Sequence, residues 1–211
     1  LVGSEMCIRD RITVREDSAV QMLESWGAKN CYGQVLDPTL LLSADEWIDL
    51  LVYEEMQIKY ASQKYILVYQ IHNDRQLSSY ALRLAAHTGL KLLRVNPFMH
   101  QVHRGGKFVL CPDVTEFLSL IKNATYIVTD SFHGTCFSLT FEKQFIEVLP
   151  NNTTGTRNQS ILALTGLSNR IVYDFDDFSI INRMINYQPV REILAKERGR
   201  SVKMLKCLLN S

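Results

Sequence analysis

Residues 128–136, Val-Thr-Asp-Ser-Phe-His-Gly-Thr-Cys, read as a buried strand that stops at a tight turn and opens a helix. In an open α/β sheet, ligands bind on such a rim, because the carboxyl ends of the strands face a crevice and helix N-termini direct unpaired N–H groups into it. Asp130, Ser131 and His133 fall on this rim and form a candidate active-site edge. Histidine is the side chain best suited to taking and returning protons near neutral pH. Each residue also has a simpler use. Asp130 and Ser131 have the types that cap helices, and an imidazole beside them can donate to a nearby carbonyl.

Other residues capable of chemistry point to less. His100 and His103 are spaced like a metal pair, but no third ligand lies at a convincing distance in the chain, so a surface loop without metal is expected. Gly105 and Gly106 lack the spacing of a dinucleotide fingerprint. Cys136 sits on an apolar helix, where a thiol packs as core.

The elements that must position the rim follow from periodicity and punctuation. Residues 12–16 alternate like a strand, and a short amphipathic run from Asp17 then stops at Gly27. A strand at 34–36 leads to the turn-forming pair Asp37 and Pro38, and Ser43 with Glu46 makes a capping box for the next helix. Charged and aromatic residues at 53–64 read as a linker. From there the order is strand 65–71, helix 76–88 closed by Gly89, strand 91–95, strand 107–110, helix 114–123 and strand 126–129. Helix 134–142, strand 145–149, helix 159–164 and strand 170–173 continue the rhythm, and residues 189–209 form a terminal amphipathic helix. Strands alternating with helices predict an α/β fold with a mostly parallel, Rossmann-like sheet.

Composition narrows the class. A chain of 211 residues with 46% hydrophobic content can bury a substantial core, and a formal charge of +1 lacks the basic excess of a nucleic-acid binder. The charges of the terminal helix are of mixed sign, as on a solvated face. Five scattered cysteines without a C-x-x-C pair suit reduced thiols in the cytoplasm. No apolar run approaches the ~20 residues that span a bilayer. Residues 1–11 have neither a helix or strand period nor a signal-peptide pattern, and are left unassigned as a read-through scar.

Several blocks, in order, carry a specific resemblance: Ile12-Thr-Val-Arg-Glu16, Leu36-Asp-Pro-Thr-Leu-Leu-Leu42 with Trp47, Glu116-Phe-Leu-Ser-Leu-Ile121, Ala124-Thr-Tyr-Ile-Val-Thr-Asp-Ser-Phe-His-Gly134 and Arg157. Together with Gly166-Leu-Ser-Asn-Arg170 and Glu197-Arg-Gly-Arg-Ser-Val202, they resemble the polysaccharide pyruvyl transferase family. The resemblance implies a two-lobed glycosyltransferase-B-like architecture. Residues 12–60 would then be a remnant of the N-terminal lobe with its linker, and residues 61–211 the C-terminal lobe.

The resemblance also implies transfer of pyruvyl from phosphoenolpyruvate to a pair of sugar hydroxyls as a ketal, with no cofactor beyond that donor. His133 would be the catalytic acid and base. Arg15, Asp130, Ser131, Gly134 and Arg157 would hold substrate, the two arginines because a guanidinium grips carboxylate or phosphate with paired hydrogen bonds. The implied partner is a sugar or polysaccharide acceptor, with peripheral contact to a membrane-linked form of it and no transmembrane segment. A nucleotide-sugar-dependent glycosyltransferase and a non-catalytic sugar-binding fragment are the alternatives, since fold alone does not fix function.

Overall fold

The computed structural model describes residues 12–28, 30–50, 60–150 and 155–210. The expected scar at 1–11, most of the linker and the loop at 151–154 lie outside the described residues.

Two parallel sheets organise the described residues. The smaller pairs β1 (Ile12–Val14) with β2 (Cys31–Gln34) around α1 (Asp17–Ser25). The short helices α2 (Pro38–Leu41) and α3 (Ala44–Leu50) follow. The larger sheet contains β3 (Tyr65–Tyr69), β4 (Lys91–Asn96), β5 (Lys107–Leu110), β6 (Tyr126–Thr129) and β7 (Gln144–Glu147). Its helices are α4 (Arg75–Thr88), α5 (Val114–Asn123), α6 (Phe132–Thr140) and α7 (Gly155–Leu164), and α8 (Tyr187–Asn210) ends the chain.

The larger sheet runs β5-β4-β3-β6-β7 with every pairing parallel. The chain winds outward from β3 to β5, then crosses back to lay β6 against the other side of β3. The crevice between β3 and β6 is therefore the topological switch point, where open α/β sheets bind ligands. Side chains alternate across this sheet and both faces are buried. Tyr65 and Leu67 of β3 join Ile127, Phe137 and Phe145 in one core, while Ile66 and Val68 join Leu77, Tyr80 and Val128 in the other.

Local chemistry sets the helix ends. Asp74 accepts from the Gln76 and Leu77 N–H groups to open α4, and Gly89 closes it in the left-handed region at φ 69°. Ser43 and Glu46 exchange the hydrogen bonds of the capping box, at 2.7 and 3.2 Å. The terminal helix packs back onto the first segment. The buried Ser201 hydroxyl accepts from the Leu36 N–H at 2.9 Å, and Arg198 Nε donates to the Leu40 carbonyl at 2.6 Å.

Several expectations shift. Helix α6 opens at Phe132 rather than residue 134, because Ser131 is its cap. Helix α7 opens at Gly155, ahead of 159. The strand expected at 34–36 lies at Cys31–Gln34, one residue short of the Val35 N–H bond to the Val14 carbonyl. The strand expected at 170–173 is a 3-10 turn, Ser168–Arg170, followed by a single bridge between Glu147 and Ile171. Its cause is Arg170, whose buried guanidinium donates to the carbonyls of Phe145, Ile180 and Arg183 and so ties the segment through a side chain instead of a ladder.

Candidate active site at the switch point

The β3–β6 crevice opens into a cleft of about 260 Å³. After β6 it is lined by Asp130, Ser131 and His133, after β3 by Ile71 and His72, and from the start of α7 by Arg157 and Asn158. Four of the six site residues expected from the sequence thus meet in one place.

Asp130 is buried and holds the two strand ends together. Its carboxylate accepts from the Ile71 N–H at 2.7 Å, the His72 N–H at 3.0 Å and faces His72 Nδ1 at 3.2 Å. Burial raises its pKa above the usual carboxylate range, and the hydrogen bonds from Ile71 and His72 offset only part of that. With Nδ1 on Asp130, His72 keeps Nε2 free of that contact. Ser131 caps α6 by accepting from the Gly134 N–H at 3.4 Å. The Phe132 and His133 amides, in the first turn, have no intrahelical partner by the geometry of a helix start. His133 is exposed there, its ring 5.7 Å from that of Phe132. The Arg157 guanidinium lies over the same Phe132 ring at 5.2 Å, a cation–π contact that places a positive charge beside His133.

Gly134 serves this site from beneath and does not line the cleft. A Cβ on it would lie 2.3 Å from Thr129 Oγ1 and 3.0 Å from the Tyr69 ring, so only glycine lets α6 sit this close to β6 and β3. Arg15 also stands off the lining. Its Nη1 bonds the Asp37 carboxylate at 2.5 Å, with the Arg15 side chain 44% exposed. Burial works to raise the Asp37 pKa, but the Thr39 N–H and hydroxyl, Arg15 and the nearby His133 outweigh it and hold the carboxyl below its ordinary value. The Arg15–Asp37 pair is therefore electrostatically coupled to His133 from outside the cleft lining. Two contacts join the first unit, that of β1 and β2, to α7: Thr156 donates to Glu16 at 2.9 Å and Ser160 to Asp17 at 3.2 Å.

Behind the cleft lies Glu147, fully buried at the end of β7. Its carboxyl meets the Thr135 hydroxyl and the Asn158 amide, the latter at 2.5 Å, and so links the first turns of α6 and α7. Burial pushes its pKa up to about 8. A neutral carboxyl can donate to Thr135 Oγ1, leaving the Thr135 hydrogen for the Ser131 carbonyl 3.2 Å away. Cys136 is wholly buried and its thiol pKa is raised by burial, as for a packed residue rather than a nucleophile.

The sequence did not single out His72, Asp37, Asn158 or Glu147. Reading β3 through residue 71 hid the rim on which His72 sits, since the strand ends at Tyr69. Asp37 was legible only as a turn residue, and Glu147 only as one polar position within a strand.

No curated protein matches the chain significantly. Among solved structures it is similar to the UDP-GlcNAc 2-epimerase of Methanocaldococcus jannaschii in complex with UDP-GlcNAc and UDP, with a TM-score of 0.58 and 15% identity. It is also similar to S. aureus MnaA with UDP, with a TM-score of 0.53 and 19% identity. The likenesses cover 93% and 92% of this chain but 61% and 53% of those, so it spans little more than half to three-fifths of their length. At such identity they establish a glycosyltransferase-B-like α/β fold and nothing about substrate. The sequence profile of the polysaccharide pyruvyl transferases matches residues 9–153, a stretch that runs from before β1 past β7 and includes the Asp130–His133 rim, and the chain belongs to that family.

Proposed function

We propose that the protein transfers pyruvyl from phosphoenolpyruvate to two hydroxyls of a sugar in cell-surface polysaccharide assembly. In this reaction a proton adds to the donor methylene, giving a methyl group and cationic character at the central carbon. One sugar hydroxyl attacks that carbon and loses its proton, inorganic phosphate leaves, and the second hydroxyl closes the ketal. His133 delivers and collects these protons. His72, held by Asp130 and lining the same cleft, shares that work. Arg157 and the first-turn amides of α6 receive the donor's anionic groups, with Arg15 completing the grip from beside the cleft. Cys31, Cys111 and Cys136 are free thiols, which fits a cytoplasmic setting.

The observation that carries this reading is an exposed histidine in the first turn of α6, beside Arg157, at the switch point of a chain of this family. The test is ketal formation by the full-length gene product with phosphoenolpyruvate and candidate glycan acceptors. His133→Ala should lower kcat by roughly 10²–10⁴ while phosphoenolpyruvate still binds. Unchanged turnover removes His133 from the mechanism. Protection against unfolding by a nucleotide-sugar but not by phosphoenolpyruvate transfers the site to nucleotide-sugar chemistry.

A further inference from the structure

The turn at residues 72–74 separates the cleft from a second concavity of about 660 Å³, with His72 lining the first and Asn73 the second. One wall is the start of α4, which contributes Arg75 and Ser78. The other is the β4–β5 loop, which contributes His100, His103 and Arg104. No Asp or Glu lines it among the described residues. Arg75, His100 and His103 are exposed, and none of the four basic side chains is in an ion pair among the described residues. The acid of this turn, Asp74, is turned to the Gln76 and Leu77 amides.

A third guanidinium stands behind the wall. Arg94 of β4 is fully buried, with Nε on the Gly105 carbonyl at 2.7 Å and Nη2 on the carbonyls of Arg104 and Ser78 at 3.1 and 3.2 Å. Its Nη1 has no partner, and no carboxylate pairs with it among the described residues. Burial and the neighbouring Arg104 lower its pKa to about 10. A buried guanidinium without a counter-charge is costly, and three of the carbonyls that accept from it belong to residues of the concavity's own wall. Positive potential is thus concentrated on a surface with no protein anion to close it.

We propose that this concavity binds the phosphoryl group of the acceptor, a sugar phosphate or diphosphate, while the donor occupies the neighbouring cleft. One carboxylate would satisfy one guanidinium; two arginines and two imidazoles on facing walls match the several oxygens and multiple charge of a phosphoryl anion. The shared turn at 72–74 sets the two ligands on either side of His72. The acceptor assignment rests on the pyruvyl transfer reading, whereas the anion site stands without it.

Calorimetry with inorganic pyrophosphate, inorganic phosphate and phosphoenolpyruvate tests the proposal on the intact chain. Arg104 is left unchanged in the variants because it bonds Asn73, Asp74 and Ser78. Pyrophosphate should bind the wild type, and Arg75→Glu and His103→Glu should each weaken it by roughly tenfold or more, with phosphoenolpyruvate affinity unmoved and the thermal melt preserved. Absence of pyrophosphate binding, or affinity indifferent to both variants, overturns the site. Loss of pyrophosphate binding in Arg157→Ala, with competition by phosphoenolpyruvate, places the anion in the cleft and overturns it also. Inorganic phosphate binding as tightly as pyrophosphate assigns the concavity to a free anion and overturns the acceptor reading. If ketal formation fails while pyrophosphate binding still depends on Arg75, it is the enzymatic reading that falls, not the anion site.

Discussion

The two sides of the candidate site, the cleft and the Arg15–Asp37 pair beside it, are held by opposite means. On the lobe side, the turns carrying His133 and Arg157 are tied to buried carboxyls, Asp130 and Glu147, whose pKa values burial raises. On the side of the first unit, Arg15 rests on Asp37, whose pKa is held down by hydrogen bonds and charge despite burial. The lobe side is dry and over-determined: Glu147 joins two helix starts, and Gly134 lets one of them press on β6. The other side is wet. Helix α1 buries no residue, and its links to α7 through Glu16 and Asp17 are exposed. Buried networks fix geometry, whereas exposed contacts are weak and adjustable. The difference leaves the His133 side fixed and the Arg15 side adjustable.

The largest test is of the buried side. The Glu147 carboxyl has an ordinary pKa of 4.5 and is raised to about 8 in the folded chain. Between these values the folded state binds more protons than the unfolded state, so this group's contribution is complete below pH 4.5 and is lost as pH rises toward 8. The loss is on the order of 3–5 kcal/mol. Glu147→Gln keeps an acceptor for Asn158 but cannot ionise. Its unfolding free energy, from denaturant melts at a series of pH values, should lack that fall, while the smaller effect of Asp130 is common to both proteins. Parallel curves for the two proteins would mean that Glu147 is not held neutral.

Next in size is Gly134→Ala. The added methyl group meets Thr129 Oγ1 at 2.3 Å, inside any real contact, and Thr129 cannot simply rotate away because its hydroxyl donates to the Tyr69 carbonyl at 2.7 Å. Overpacking of this kind costs roughly 1–3 kcal/mol. The expected result is a lower denaturant midpoint with an unchanged slope, and reduced turnover from displacement of His133. A variant as stable as the wild type would show that α6 has room to shift.

The fold was legible because its signals are local and redundant. Asp74 and Gly89 mark α4, the capping box marks α3, and continuous β-branched and aromatic runs mark strands buried on both faces. The switch point was not, since strand order depends on long-range pairing and a chain of alternating strands and helices is compatible with several orders. For the site, the rim at 130–133 was visible as a strand meeting a helix, but its partners were not. His72 lies 58 residues from Asp130, and the Arg15 bond to Asp37 spans 22 residues. Arg15 passes over the adjacent carboxylates of Glu16 and Asp17, which bond α7. The expected strand at 170–173 failed for a related reason: a buried arginine answering three carbonyls overrides strand propensity.

The smallest effect on stability belongs to the wet side, where function and stability should separate most clearly. Arg15→Ala removes a half-exposed partner and should cost less than ~1 kcal/mol. Asp37→Ala should cost about 1 kcal/mol, since it also removes the acceptor for the Thr39 N–H at 3.0 Å that caps α2. Asp37 titrates with the opposite sign to Glu147: its folded pKa lies below 3.8, so its contribution is present above that value and is lost as pH falls through the folded pKa. In the assay, both variants should raise KM for phosphoenolpyruvate more than they lower kcat, Arg15→Ala by loss of a ligand and Asp37→Ala by loss of the contact that aims it. If the double variant is no worse than Arg15→Ala, Asp37 acts on the donor through Arg15 alone. If the two effects simply add, Asp37 acts separately, through its field at His133, and the two sides of the site are coupled at His133 itself.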